Sequence, residues 1–200
     1  MDDEALDMRT RNKLATREAI GAAALRLAVE QGPQGLALVR VGDIAAEAGV
    51  SPRTYNNYFS SREEAICAFQ TDRARRLGRA LRSRPEDEPL DRAITAAVIE
   101  HATPAPDRVG LRMIMTTPEL EGEALKSFTV AEEPLAAAIA ERTSRDPGRD
   151  LFPRVMAAAV AGAIRVAGRH WLDQDDDEPF EAVLRRALDH VLPALTPDES

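Results

Sequence analysis

The chain is 200 residues long, 44% hydrophobic, only 4% aromatic, with a formal net charge of −8, enough for one large domain or a small domain joined to a larger one. A single cysteine, Cys67, excludes an internal disulfide and a four-cysteine metal site. Abundant alanine and leucine, the strongest helix formers, favour helices over strands.

The acidic opening MDDEALDMRT has no apolar segment and does not read as a signal peptide. No uncharged apolar stretch approaches the roughly 20 residues of a membrane span, so a soluble cytoplasmic protein without membrane attachment is expected. Helical periodicity then appears: Ile20, Ala23, Ala24, Leu27 and Ala28 form one buried stripe, and Gly32-Pro33 stops the helix. A second short helix over residues 40–48 buries Val41, Ile44, Ala45 and Ala48, and Gly49 breaks it. Ser51-Pro52 supplies an N-cap and a first-position proline for a third helix of roughly seven residues ending near Phe59. Ser61, with Glu64 at the capping-box position, opens a fourth helix expected to continue to Arg82. A polar loop spans 83–89. Further helices are predicted near 90–101, 107–116, 118–142, 151–173 and 179–192, separated by Pro104/Pro106, Pro118, Asp146-Pro147-Gly148 and Asp175–Asp177. The expected fold is all-α with about nine helices, divided into a head over 9–62 and a body over 63–200.

Two short helices joined by a glycine turn, the second opening Ser-Pro, make a helix-turn-helix. By spacing alone the unit serves equally for DNA recognition or as a bend in a helical bundle. In the DNA reading the exposed positions are Ser51, Pro52, Arg53, Thr54, Asn56 and Asn57, while Val50, Tyr55 and Phe59 have the spacing of core anchors. Arginine matches guanine O6/N7 and asparagine matches adenine N6/N7, because each side chain makes two hydrogen bonds to a base edge. Tyr58 can pack its ring inward and offer its hydroxyl to a phosphate. Charge is distributed accordingly: residues 9–62 carry eight Arg/Lys against four acids, whereas residues 63–200 have a net charge of −8. Phosphates respond to local charge, because screening confines the interaction to about 10 Å.

The stretch from Val41 to Glu64, VGDIAAEAGVSPRTYNNYFSSREE, resembles the DNA-binding signature of the tetracycline-repressor (TetR) family: Ile-Ala before Gly-Val-Ser, then Thr, a Tyr-Phe pair, and Ser-Arg-Glu opening the next helix. Thr16-Arg17, Ala22-Ala23-Ala24 and Glu30-Gln31-Gly32 are similar to its first helix. The resemblance covers residues 10–68 and implies an all-helical homodimer with a DNA-binding head and an effector-binding body, acting on a palindromic operator, with repression as the default. Two positions depart from the pattern. Many members have a phosphate-contacting tyrosine where this chain has Asn56, and a threonine often near the start of the second helix falls on Val39 or Arg40. Arg40 then offers a charged phosphate contact instead. The expected DNA-binding set is Arg40, Ser51, Pro52, Arg53, Thr54, Asn56, Asn57, Tyr58 and Arg62. Arg9, Arg11, Lys13 and Arg17 form either a solvated helix start or a basic arm toward the DNA.

In the body, residues 151–171 are apolar or small on more than one face, which requires burial on two sides. Phe180, Val183, Leu184, Ala187, Leu188 and Val191 form a second stripe. These two helices are expected to pair with a partner subunit as a four-helix bundle, with internal packing as the alternative. Leu111, Met113, Met115, Phe128 and Met156 are either plain core or the lining of an effector pocket, where flexible methionines suit apolar ligands. Residues 111–120 and 131–142 are similar to the C-terminal domain of the actinobacterial mycofactocin-regulator group. This second resemblance implies a long-chain acyl-CoA or other hydrophobic effector. His101, His170 and His190 lack metal-ligand spacing, and the acidic run from Asp173 to Glu178 reads as a solvated loop rather than a calcium loop. No phosphate loop, nucleophile elbow or cofactor motif is present, so neither catalysis nor a cofactor is expected. The rival readings are a helical protein-interaction adaptor and an acyl-CoA-binding enzyme, both without DNA affinity.

Overall fold

The computed structural model describes residues 2–102, 107–146, 148–174 and 177–192, with Met8 the only side chain described before residue 11. Among the described residues the secondary structure is entirely helical. The helices are α1 (Asp2–Gly35), α2 (Val41–Glu47), α3 (Pro52–Asn56), α4 (Arg62–Ile66), α5 (Ala68–Arg82), α6 (Leu90–Ala102), α7 (Arg108–Thr116), α8 (Pro118–Arg142), α9 (Leu151–Asp173) and α10 (Phe180–Asp189), with one 3-10 turn at Leu36–Leu38. The predicted stop at Gly32-Pro33 is a break inside α1, where Gly32 takes φ 70° and ψ 173°. The predicted turns around Pro104/Pro106, Pro147 and Asp175-Asp176 lie outside the described residues.

The chain forms two compact units. One comprises Met1–Gln70 together with Arg112–Ala124. Its core holds the predicted stripe of α1 (Ile20, Ala23, Ala24, Ala28) against Leu36, Val39, Ile44, Ala45, Tyr55, Phe59 and Ile66. The same core takes in Met113, Ile114, Leu120 and Ala124 from the α7–α8 corner. A large aliphatic side chain such as Ile20 or Ile44, fully enclosed here, stabilises the fold by about 2 kcal/mol.

A difference from expectation lies at the fourth helix, which is not continuous over 62–82. The chain turns at Cys67 (φ −84°, ψ 0°), separating α4 from α5. Ala65, Ile66, Cys67 and Ala68 are buried in succession, which a straight helix with one apolar face cannot achieve. Burial, reinforced by Glu123 and Glu63, pushes the Cys67 thiol up to about 12. It is therefore a packed apolar group, not a reactive one.

The second unit comprises Thr71–Leu111 and Leu125–Ser200. Here α5 crosses α8 so closely that a Cβ on Gly78 would lie 2.4 Å from the Pro134 carbonyl oxygen. Arg142 donates to the carbonyls of Arg84, Pro85 and Glu88 and pins the 83–89 loop. Arg108 plays the same part for the end of α9. Its guanidinium lies 4.8 Å from the Trp171 ring centre and donates to the Trp171 and Gln174 carbonyls. The Trp171 indole in turn donates to the Glu178 carbonyl at 2.9 Å and packs on Phe180. α9 is the one described helix with the length and apolar composition of a membrane span. Met156, Ala157, Val160, Ala161, Ala167 and Leu172 are buried within the unit and Arg154 and Arg165 break the apolar run, as in a core helix.

Candidate nucleic-acid interface

The turn between α2 and α3 follows from three residues. Gly49 takes φ 67°, a left-handed conformation that costs glycine little. The Ser51 hydroxyl accepts from the Thr54 amide at 3.0 Å, and Pro52 follows at the first helical position. Tyr55 and Phe59 are 1% and 2% exposed, so the sequence-assigned anchors are core residues, while Val50 is half-buried. The Tyr55 hydroxyl donates to the Ser61 carbonyl at 2.8 Å. Burial, and then the charges of Glu63 and Glu64, push that phenol up to about 12, so it stays a donor. Helix α3 has five residues instead of the expected seven, and Asn57 and Tyr58 form the turn leaving it.

This framework leaves Ser51, Pro52, Arg53, Asn56 and Asn57 exposed on one short element, with Thr54 and Tyr58 half-buried. The Ser51 and Thr54 hydroxyls are bonded to each other at 2.9 Å. Arg53, Asn56 and Asn57 supply the outward donors and acceptors that base edges require. Arg40 is exposed as the N-cap residue of α2. Arg62 is only partly available: it pairs with Glu63 at 2.7 Å and donates to the carbonyls of Ala37 and Val39, bracing the entry to α2. An Arg26–Glu47 pair at 2.6 Å fastens α1 to α2. Of the basic arm, Arg11 and Lys13 are exposed and the Arg9 side chain lies outside the described residues. Arg17 turns inward, its side chain 14% exposed. Sequence reasoning missed this placement, because the Arg17 partners lie 41 and more residues away and leave no local trace.

The five expected effector residues do not share one unit. Met113, buried, and Met115, half-buried, fall in the first; Leu111 and Met156, buried, and Phe128, half-buried, fall in the second. None of them lines the open cavities of the second unit formed by α6 and α10, by α9 and α10, and around Trp171. One of about 770 Å³ lies between α6 and α10 and mixes Arg84, Arg92 and Arg185 with Asp91, Glu100 and Asp189. A second of about 500 Å³ is a mainly apolar groove along α9 and α10, lined by Ala159, Gly162, Val166, Val183 and Val191 together with His170, Arg186 and His190. Trp171 is buried with Arg108 and Phe180. A third of about 360 Å³ surrounds Arg108 and Trp171. Among the described residues no group of His, Cys, Asp or Glu is arranged to hold a metal ion.

Comparison with known proteins accords with this geometry. Residues 20–65 match the model described as bacterial regulatory proteins, tetR family, and residues 88–196 match the MftR C-terminal domain. The HTH-type transcriptional regulator TcmR of Streptomyces glaucescens is 31% identical over 204 aligned positions, covering 96% of this chain and 89% of that protein. The mycofactocin biosynthesis regulator MftR of Mycobacterium tuberculosis is 26% identical, covering 78% and 81% of the two chains. Two solved structures share the fold. FadR of Bacillus halodurans superposes with a TM-score of 0.57 at 18% identity over 88% of this chain and 94% of its own. FadR of Thermus thermophilus, solved in complex with lauroyl-CoA, gives 0.56 at 21% identity over 92% and 97%. With its helix-turn-helix matched at one end and more than half its length matched at the other, the chain belongs to the TetR family of bacterial transcriptional regulators and is not an enzyme.

Proposed function

We propose that this regulator is a cytoplasmic repressor that binds a palindromic operator as a homodimer and is released by a hydrophobic effector of the long-chain acyl-CoA class. The observation that carries the DNA part is the exposure of Arg53, Asn56 and Asn57 on an element whose start is capped by Ser51 and whose back is anchored by Tyr55 and Phe59. Arg53, Asn56 and Asn57 read bases, while Ser51, Pro52, Thr54, Tyr58, Arg40 and the partly engaged Arg62 lie against the backbone. Two such elements in successive major grooves are about 34 Å apart.

The dimer is supported by α9 and α10. Leu151, Val155 and Val166 are 75%, 58% and 55% exposed, and the apolar groove between the helices continues that face. A second copy of the same surface covers it with like residues, as a two-fold interface requires. For the effector, the support is the MftR-type C-terminal domain together with the lauroyl-CoA seen in the Thermus thermophilus relative of the fold. The proposed apolar contacts are taken in each unit by itself: Met113 and Met115 in the first, and Leu111, Phe128 and Met156 in the second. A ligand acts only if it binds one conformation better than the other.

Footprinting on the upstream region of its own gene, repeated with lauroyl-CoA and with free CoA, tests the scheme. A two-fold symmetric protected site lost with lauroyl-CoA but kept with free CoA is expected. Protection indifferent to every acyl-CoA chain length would remove the effector, and an asymmetric single half-site would remove the dimer.

A further inference from the structure

Arg17 sits among the basic residues that open the chain, yet its guanidinium serves the protein itself. Nη1 donates to the Tyr58 carbonyl at 3.0 Å, where the chain leaves α3. The guanidinium carbon lies 4.3 Å from the centre of the Phe59 ring, a cation–π distance. Nη2 approaches Glu64 Oε1 at 3.9 Å. The other oxygen of Glu64 accepts from both the amide and the hydroxyl of Ser60, at 2.9 and 2.8 Å. Three consecutive residues after the recognition element, Tyr58, Phe59 and Ser60, are thus held by one arginine of α1 and one glutamate of α4. Together with the Ser51 cap and the buried Tyr55, this end fixes how the five-residue helix is aimed.

We infer that Arg17 is a positioning residue for operator recognition: it sets the pose of α3 through Tyr58, Phe59 and Glu64 and does not neutralise a phosphate. The inference rests on the DNA-binding reading above and adds a division of labour within the basic segment. Exposed Arg11, Lys13 and Arg40 face the DNA, and Arg17 aims the element that reads it. The planar guanidinium is required, because it stacks on a ring and donates in its own plane at once. An ammonium supplies only the charge.

The test compares wild type with Arg17→Lys, Arg17→Ala and the control Arg40→Ala, all as full-length protein. In the DNA-free protein, hydrogen exchange reports on the Tyr58, Phe59 and Ser60 amides, bonded to Tyr55 O, Tyr55 O and Glu64. These amides exchange about fivefold faster or more in both Arg17 variants, while the α9 amides are unchanged. Binding to an end-labelled duplex of its own upstream region is then followed across a salt series. The Arg17 variants lose about tenfold in affinity at every salt concentration with the log–log slope unchanged. Arg40→Ala lowers the slope by about 0.9. Rescue by lysine, or a slope reduced by about 0.9 in Arg17→Ala, would make Arg17 a phosphate contact and overturn the inference. Unchanged exchange at residues 58–60 would overturn it too. Arg17→Lys keeps the test open if Arg17→Ala does not fold. If wild type itself bound no DNA, the DNA reading would fall while the exchange rates still decided whether Arg17 holds residues 58–60.

Discussion

The protonation of His101 is tied to the fold through its burial. Its ring is half-buried near the end of α6, its Nδ1 is 3.2 Å from the Ala97 carbonyl, and its own carbonyl accepts from Arg73 Nε. Burial lowers its pKa below the usual histidine value of about 6.5 and outweighs the Ala97 bond and the Glu100 charge, which raise it; Arg76 and Arg73 of α5 lower it further. Arg73 itself is held down to about 10 by burial and by Arg76. A base with a lowered folded pKa takes up its proton more readily when unfolded. Its contribution is therefore full above about pH 6.5, declines as the pH falls toward the folded pKa, and levels off below it. Urea denaturation between pH 7.5 and 5.5 shows this decline in wild type and a shallower one in His101→Gln. An equal slope in the two proteins would assign the pH dependence elsewhere.

Among the elements, the short α2–α3 pair was legible because its signals are local. Glycine at a positive φ, a serine cap and a first-position proline sit within four residues, and Tyr55 and Phe59 are one helical turn apart. Ser61 caps α4 as expected, but Glu64 reaches back to Ser60 rather than to the amide of Ser61. The break at Cys67 and the docking of Met113, Ile114 and Leu120 into the core of the first unit were not legible. Both arise from packing between segments tens of residues apart, which imposes no period on either segment. For the same reason, apolarity at Met113 and Leu111 does not tell core from pocket lining. Gly78 is a third case. Nothing in its neighbourhood marks it, yet a methyl there would collide with the backbone of Pro134. Proline leaves the helical partner of the Val130 carbonyl missing at that turn. Gly78→Ala is expected to cost about 3 kcal/mol, through overpacking that outweighs the gain in helix propensity. Chemical denaturation measures it, and a neutral or stabilised variant would show that α5 and α8 separate easily.

For the whole molecule, a net charge of −8 coexists with a head carrying a local surplus of bases. Family membership follows from the match at both ends of the chain, and the dimer and the effector are proposals built upon it. Val166 stands 55% exposed in the groove of α9 and α10, so Val166→Asp leaves the subunit folded but places a carboxylate in the proposed apolar interface. Sedimentation velocity is expected to show dimer dissociation strengthened on the order of 100-fold; an unaffected dimer would move the interface elsewhere. The central claim is that the exposed face of α3 reads DNA. Fluorescence anisotropy of the purified protein on its own upstream duplex, from about 50 to 200 mM salt, tests it most directly. Tight binding that falls by about a thousandfold or more across that range is the predicted result, as for any protein neutralising several phosphates. Absence of binding on every fragment tiled across the region, or binding indifferent to salt, would contradict it.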